Sequence, residues 1–263
     1  MFGLFKKDKG QQAQQGTAPV AQARPVATTG GLNLSKEQAI QTLNLRKETL
    51  GICLTKQNIS NLTARVGLVL DQTGSMKSLY RNGTAQEVVD RLLPMGLKFD
   101  DNGELDMWIF AQRFKRLDSV TEADFYQYVD REIMNNPRNQ LWEATYYAPV
   151  MRDVLKKYTK EEPSTIPTII YFITDGECFD PKETEALIKE ASKHNIFWQF
   201  VGIGKEKFTF LKKLDDMEGR HIDNADFFQL NDVKTVTDEE LYNRLLQEYP
   251  SWERQARQMG MIR

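Results

Sequence analysis

The chain has 263 residues, of which 40% are hydrophobic and 27% are charged, with a formal net charge of −2; this suffices for one α/β core with flanking sequence. Because basic and acidic residues are interspersed, no broad basic surface is predicted, and we expect no nucleic-acid partner. No apolar run approaches the roughly 20 residues that span a bilayer, and the two cysteines form no C-x-x-C pair, a pattern typical of a cytoplasmic protein.

Residues 1–31 are predicted to be a disordered segment and linker. The stretch from 10 to 31 is rich in Gln, Ala, Gly, Pro and Thr and has no large aromatic residue, so it cannot bury enough surface to offset the entropy lost on ordering. The leading MFGLFKK is compatible with two interpretations. It is a frayed terminus, which is common at chain ends, or a short amphipathic hook that makes a peripheral contact with a membrane or a partner.

Residues 32–64 are predicted to be an N-terminal helical extension. Ser35 is placed as the N-cap of a helix, Glu37 falls in its first turn, and Leu43 and Leu50 follow at roughly helical spacing. Strand and helix patterns alternate from there onward, which predicts the main domain and its C-terminal helices over residues 65–263.

The alternation begins with RVGLVLD at 65–71, a strand that is hydrophobic on both faces, as central parallel strands are. An amphipathic helix is predicted over 84–101, and strands at 104–112 and 113–117 are close enough to pair as an antiparallel edge hairpin. The other predicted elements are helices over 121–133 and 146–158, a strand at 167–175, a helix over 181–195, a strand at 196–204, a short helix over 207–216, a strand at 226–230 and helices from 238 onward.

This order predicts a Rossmann-like, doubly wound α/β fold: a mainly parallel sheet with one antiparallel edge strand and helices on both faces. Such sheets bind ligands beyond the carboxyl ends of the strands, at the point where the strand order reverses. Two predicted strands end in an acid, Asp71 and Asp175, and each acid is followed within three residues by a glycine. We therefore expect these two strand ends to lie side by side.

Two hydroxyls follow Asp71 at alternate positions, Thr73 and Ser75 in LDQTGSM. In isolation this loop is also typical of a simple helix cap, but Asp175 would add a second carboxylate, and Thr145, at the start of a predicted helix, a third hydroxyl. Hard oxygen ligands of this kind suit Mg²⁺, with Mn²⁺ or Ca²⁺ compatible with the same set. Five oxygens leave an octahedron incomplete, so we predict a metal site with one position open to water or to a carboxylate from another molecule.

At these residues the sequence resembles the von Willebrand factor A (VWA) family, whose metal-ion-dependent adhesion site reads Asp-x-Ser-x-Ser with a distal Thr and a distal Asp. The similarity runs from about residue 65 to residue 230 and is strongest in LVLDQTGSM, ATYYAPVM, IYFITDGE and FVGIG. Position by position, it implies the metal ligands Asp71, Thr73, Ser75, Thr145 and Asp175. Thr73 stands where the commoner pattern has Ser, which keeps the hydroxyl and adds a methyl group.

The stretch GSMKSLYRNGTAQEVVDRLLPMGLKFDDNGELDMWIF is similar to bacterial VWA proteins linked to tellurium resistance and general stress response. This resemblance implies an intracellular scaffold that acts with other stress-response proteins, with a position at the inner face of the membrane as a further option. Tellurium resistance names a phenotype and not a reaction, so no tellurium chemistry is inferred from it.

Two classes of function are compatible with these residues. The favoured one is a metal-dependent protein-binding module, in which an Asp or Glu of a partner protein completes the metal shell. The alternative is a metal-dependent phosphotransferase or hydrolase with Asp71 as the nucleophile. Because no second carboxylate lies two residues after Asp71, and neither His194 nor His221 is placed to help, we expect the protein not to be an enzyme.

Three further residues near the site have open interpretations. Glu177 and Asp180 either extend an acidic rim or are loop acids, with Asp180 capping the helix that begins at Pro181. Tyr80 is a candidate for the binding rim.

Overall fold

A computed structural model of the protein describes residues 34–100 and 102–262. In these residues six strands form one sheet in the order β3-β2-β1-β4-β5-β6. The strands are β1 (Arg65–Asp71), β2 (Leu105–Phe110), β3 (Phe114–Val120), β4 (Thr168–Thr174), β5 (Ile196–Ile203) and β6 (Ala225–Leu230). Neighbouring strands pair in parallel except β2 and β3, which are antiparallel. The prediction of a doubly wound, mainly parallel sheet with one antiparallel edge strand is confirmed.

Helices cover both faces of this sheet. The α-helices of the described residues are α1 (Lys36–Lys56), α2 (Lys77–Arg81), α3 (Thr84–Phe99), α4 (Ala148–Lys156), α5 (Pro181–Ala191), α6 (Thr209–Asp215), α7 (Asp238–Leu245) and α8 (Tyr249–Gln258). Helices α1, α3, α7 and α8 contribute to one buried apolar cluster, and α4, α5 and α6 to a second. No helix in the described part of the chain combines the length and apolar character needed to cross a membrane.

The central strand β1 is hydrophobic on both faces because both faces are buried. All seven of its residues are buried, and successive side chains on a strand point to opposite faces. Leu68 and Leu70 accordingly belong to the first cluster, whereas Val69 belongs to the second. A strand covered by helices on both sides cannot alternate between apolar and polar residues, and this one does not.

The predicted N-terminal helix is present as α1. The Ser35 hydroxyl accepts a hydrogen bond from the Gln38 amide, and the Gln38 side chain accepts one from the Ser35 amide, which together form a capping box. Leu43 and Leu50 are buried in the first cluster, so α1 packs on the domain through α3 and α7. The predicted disordered segment 1–31 lies outside the described residues, and the division into 32–64 and 65–263 stays a prediction.

The predicted helix over 121–133 is largely wrong, because only Val129–Met134 is helical, as a π-helical turn. The hydroxyl and amide of Thr121 both donate to the Asp124 carboxylate, at 2.9 and 2.8 Å. Gln127 has a φ of 53°, in the left-handed region. Local hydrogen bonds from side chains to the backbone compete with the backbone hydrogen bonds of a helix. Here they favour turns in place of the helix that the spacing of apolar residues predicts.

The strand order reverses between β1 and β4. The chain adds β2 and β3 on one side of β1 and then β4, β5 and β6 on the other. Leu70 of β1 is paired with Ile173 of β4, so the two carboxyl ends lie next to each other at this switch point. A crevice at such a reversal is where sheets of this class bind ligands.

Candidate metal centre

The carboxyl ends of β1 and β4 bring two acidic loops together. Thr174, the last residue of β4, donates its hydroxyl proton to Asp71 Oδ2 at 2.6 Å. Asp175 follows directly, and its carboxylate accepts a hydrogen bond from the Ser75 hydroxyl. Asp71 and Asp175 therefore belong to one polar cluster, in line with the expectation that the two strand ends are neighbours.

The loop after β1 links these two acids through its hydroxyls. The Thr73 amide donates to Asp71 Oδ1 at 2.7 Å, and Thr73 Oγ1 lies 3.1 Å from Ser75 Oγ. Ser75 Oγ in turn donates to Asp175 Oδ1 at 2.7 Å. Four of the five predicted ligands thus form a continuous chain of hydrogen-bonded groups across the switch point.

Thr145 lies beside this cluster without a direct bond to it. It precedes α4 by three residues and is buried, so it belongs to a loop and not to the start of a helix as the sequence suggested. A Cβ placed on Gly176 would lie 3.3 Å from Thr145 Oγ1, which puts the hydroxyl next to the residue that follows Asp175. Within the described residues, its hydroxyl makes no hydrogen bond to the other four predicted ligands.

Gln72 holds the first loop against the loop that leads to Thr145, a role that the sequence reasoning missed. The Gln72 side-chain oxygen accepts a hydrogen bond from the Leu141 amide at 2.9 Å, and its carbonyl accepts one from the Trp142 amide at 3.0 Å. Its side chain is fully buried. A polar residue at the end of an otherwise apolar strand was the available signal, but its partners are far away in the sequence.

The interpretation of Tyr80 as part of the binding rim is wrong. The Tyr80 ring is only 2% exposed, and its hydroxyl donates to the backbone carbonyl of Asp71 at 2.9 Å. Tyr80 therefore supports the end of β1 from below the site.

The two loop acids hold the starts of helices. Asp180 accepts hydrogen bonds from the amides of Tyr147 and Ala148, each at 2.9 Å, so its carboxylate caps α4. Asp180 is also the N-cap residue of α5, as the sequence suggested, but its side chain makes no capping hydrogen bond there. Glu177 accepts one from the Thr209 amide at 2.7 Å, at the start of α6. Carboxylates are favoured at these positions because helix N-termini carry unpaired amides and a positive partial charge.

The electrostatics of the cluster favour a cation. Burial, with a further contribution from the charge of Asp175, raises the pKa of Asp71 to about 7, against the opposing hydrogen bonds from Thr174 and Thr73. Burial also raises the pKa of Asp175, with a contribution from Glu206. In the part of the chain that the structure describes, neither carboxylate pairs with a Lys, Arg or His side chain.

The donor set fits a hard divalent cation. Among the described residues no three His, Cys, Asp or Glu side chains converge as a metal-ligand group, so this centre depends on hydroxyls as well as on its two carboxylates. Oxygen donors of both kinds suit Mg²⁺, Mn²⁺ or Ca²⁺. A divalent ion would also offset the burial of the Asp71 carboxylate and its repulsion from Asp175, which together raise the pKa of Asp71.

Comparison with known proteins gives two sequence matches that cover most of the chain. A family model described as vWA-TerF-like, vWA found in TerF C terminus, matches residues 63–262. The uncharacterized protein YcbR from Bacillus subtilis (strain 168) is 49% identical over 222 residues, which cover 84% of this chain and 90% of YcbR.

One of the similar solved structures shows the same fold at low sequence identity. The SpRpn10 VWA domain has a TM-score of 0.51 and 12% identity, over 70% of this chain and 95% of that domain. The ArnB paralog VWA2 from Sulfolobus acidocaldarius has a TM-score of 0.46 and 15% identity, over 71% of this chain. This chain spans 45% of the length of that VWA2 chain.

Proposed function

Because the chain belongs to the VWA family, in the branch described as the vWA found in the TerF C terminus, we propose that it is a metal-dependent protein-binding module. Its divalent cation would recruit an Asp or Glu side chain of a partner protein. VWA domains are generally non-enzymatic interaction modules. The observation that carries the proposal is the hydrogen-bonded chain from Asp71 through Thr73 and Ser75 to Asp175 at the switch point of the sheet.

The residues of the chain have distinct roles in this proposal. Asp71 and Asp175 would supply the negative charge, and Thr73, Ser75 and Thr145 would supply neutral oxygens. When bound, the cation provides a Lewis-acidic centre that attracts a carboxylate. The Ser75 hydroxyl already donates to Asp175, so the loops are held in place by their own hydrogen bonds and lose little freedom when a ligand binds.

The arrangement gives little support to the alternative function of a phosphotransferase or hydrolase. Asp71 is fully buried, and its two oxygens accept hydrogen bonds from the Thr73 amide and the Thr174 hydroxyl. A nucleophile needs an oxygen that can approach a phosphorus atom, and both oxygens of Asp71 are engaged from within the protein. The same bonds leave each oxygen a second lone pair, which a small cation can use.

The biological setting is part of the proposal. The family match to the vWA of TerF supports a role in tellurium resistance or general stress response, with other stress-response proteins as partners. We place the protein in the cytoplasm, with a peripheral contact at the inner face of the membrane through the N-terminal segment as an option.

Capture of partners by the full-length tagged protein tests this function. Cells exposed to tellurite would be lysed, and capture compared in Mg²⁺ and in EDTA, for the wild type and for Asp71→Ala. We expect specific partners only with the wild type in Mg²⁺. Glu206→Gln is the matched control, because Glu206 is an acid near Asp175 that is not a predicted ligand. The proposal fails if the same partners are captured in EDTA and by the Asp71 variant.

A further inference from the structure

An aromatic ledge, formed by Tyr146 and Phe179, borders the candidate metal centre. From it we infer that the centre recognises a protein segment in which the acidic residue is followed or preceded, within three residues, by a large apolar side chain. This inference rests on the proposed function and specifies the partner of the same site. Its basis is the position, exposure and anchoring of the two rings.

Phe179 is unusually exposed for its size. Its side chain is 62% exposed, and the half-buried Tyr146 ring packs against it edge to face with 6.0 Å between the ring centroids. The other large exposed apolar residues of the described chain lie on α1 or just after α8: Ile40, Leu45, Ile52 and Met259. Single exposed apolar residues are ordinary on protein surfaces, but this one belongs to a pair beside a polar centre.

The ledge is attached directly to a predicted metal ligand. The Phe179 amide donates to the Thr145 carbonyl at 3.0 Å, and Tyr146 is the next residue after Thr145. The carboxylate of Asp180 binds the amides of Tyr147 and Ala148, which fixes the backbone on the other side of Phe179. The ring is therefore presented by an anchored loop, so an apolar partner side chain would bind it at little cost in ordering.

A third ring and a positive charge lie next to the loop that follows β1. The half-buried Trp142 packs edge to face on Tyr80 with 5.3 Å between ring centroids, and Lys77 Nζ lies 5.6 Å from the Trp142 centroid. The Trp142 backbone is bonded to the loop of Thr73 and Ser75 through Gln72. The loops that carry the predicted ligands therefore present a further aromatic ring and a lysine, which attracts acids.

Binding of defined peptides to the full-length protein tests this inference. The probes are fluorescein-labelled 11-residue peptides of Gly, Ser and Ala with one central Glu, in which Phe, Leu or Ser occupies each position from three before to three after the Glu. Affinity is measured by fluorescence polarisation in millimolar Mg²⁺ at an ionic strength of about 0.15 M, where surface charges are partly screened. We expect at least one Phe or Leu position to bind about tenfold more tightly than Ser, a gain within the range for burying one large apolar side chain.

Variants separate the ledge from the metal centre. Phe179→Ser is expected to abolish the preference for Phe and Leu peptides, while its binding of the Ser peptides still depends on Mg²⁺. Phe179→Leu is expected to keep most of the preference. Met259→Ser is the matched control, since Met259 is 45% exposed and lies outside the site. Thermal unfolding of each variant checks that the fold is kept.

Two results would overturn the inference. The first leaves the proposed function intact, and the second contradicts it as well. If Glu peptides bind in Mg²⁺ but not in EDTA, and Phe, Leu and Ser peptides bind equally, the ledge has no role and the proposed function stands. If no Glu peptide binds in a Mg²⁺-dependent way, both the inference and the proposed function lose their support.

Discussion

Two regions of this molecule bury acidic residues in opposite ways. Between α1 and α3, Arg46 contacts Glu87 at 2.5 Å, and Arg91 contacts Asp238 of α7 at 2.7 Å. Glu87 and both arginines are buried, so the chain supplies its own cations there. At the carboxyl ends of β1 and β4, the partners of the buried Asp71 carboxylate among the described residues are hydroxyls, an amide and another acid.

The difference shows how a structural charge can be told from a functional one. A buried ion pair whose partners both come from the chain fixes the packing of helices, and removing one partner leaves an uncompensated charge. Buried acids that lack a cation of their own are instead destabilising until something else supplies the charge. The first region is therefore expected to govern stability, and the second to govern what binds.

The largest expected effect is on the helix interface. Arg46→Ala leaves Glu87 buried next to Arg91 alone, and we expect it to lower the free energy of unfolding by about 3 kcal/mol, measured by urea denaturation. Arg152→Ala is the control, since Arg152 and Glu183 form an exposed pair and such pairs contribute less than about 1 kcal/mol. Equal losses in the two variants would remove the distinction between a buried and an exposed pair.

The next effect concerns the metal centre. Asp71→Asn removes the buried charge and keeps the shape of the side chain. The free energy of unfolding of the metal-free variant should therefore equal or exceed that of the metal-free wild type. Mg²⁺ at a hundred times its dissociation constant should stabilise the wild type by about 2.7 kcal/mol and leave the variant unchanged. Thermal and urea unfolding with and without Mg²⁺ measure this. A variant stabilised as strongly as the wild type would show that Asp71 does not hold the ion.

A smaller effect is expected at Gln72, which joins the two loops of the centre. Gln72→Met keeps the volume but leaves the Leu141 amide without its acceptor, at a cost of about 2 kcal/mol in stability. Because the same contact positions the chain that leads to Thr145, metal affinity should fall as well. Calorimetric titration with Mg²⁺ and urea denaturation separate the two effects. Reduced stability with unchanged metal affinity would mean that Thr145 is not a ligand.

The last prediction concerns a pH dependence at the helix interface. Burial raises the pKa of Asp90 to about 7, against the hydrogen bond from Gln86 and the charge of Arg46. Between its ordinary pKa near 4 and this value, the folded state binds a proton that the unfolded state has lost, so this group makes stability fall as pH rises.

Asp90→Asn removes this pH-dependent contribution. We expect the stability of the variant, relative to the wild type, to increase from pH 4 to pH 8, as measured by urea denaturation at several pH values. A constant difference between the two proteins over that range would contradict the prediction.

Much of the fold could be predicted from sequence because its signals are local. The two-sided hydrophobic strand at 65–71, the capped helix from Ser35 and the hairpin of β2 and β3 all follow from patterns within a few residues. The segment 121–133 could not be predicted in this way. Its apolar residues are spaced as in a helix, but the hydrogen bonds between Thr121 and Asp124 favour a turn. The spacing of apolar residues alone does not show which of these two effects is stronger.

In the candidate site, too, local sequence features could be predicted and contacts between distant residues could not. The proximity of Asp71 and Asp175 could be predicted from the sequence, because parallel strands end at the same edge of a sheet. The roles of Gln72, Tyr80 and Asp180 could not, because each depends on a partner in space: the Leu141 amide, the Asp71 carbonyl and the start of α4. The identity of the five predicted ligands stays a prediction, since it depends on an ion.

Titration of the metal-free protein with Mn²⁺, followed by electron paramagnetic resonance of the free ion, tests whether the ends of β1 and β4 hold a divalent cation. We expect one tightly held Mn²⁺ per chain that Mg²⁺ displaces. Binding should be lost in both Asp71→Asn and Asp175→Asn and kept in Glu206→Gln. Full binding in the two Asp variants, or none in the wild type at millimolar Mn²⁺, would contradict this expectation.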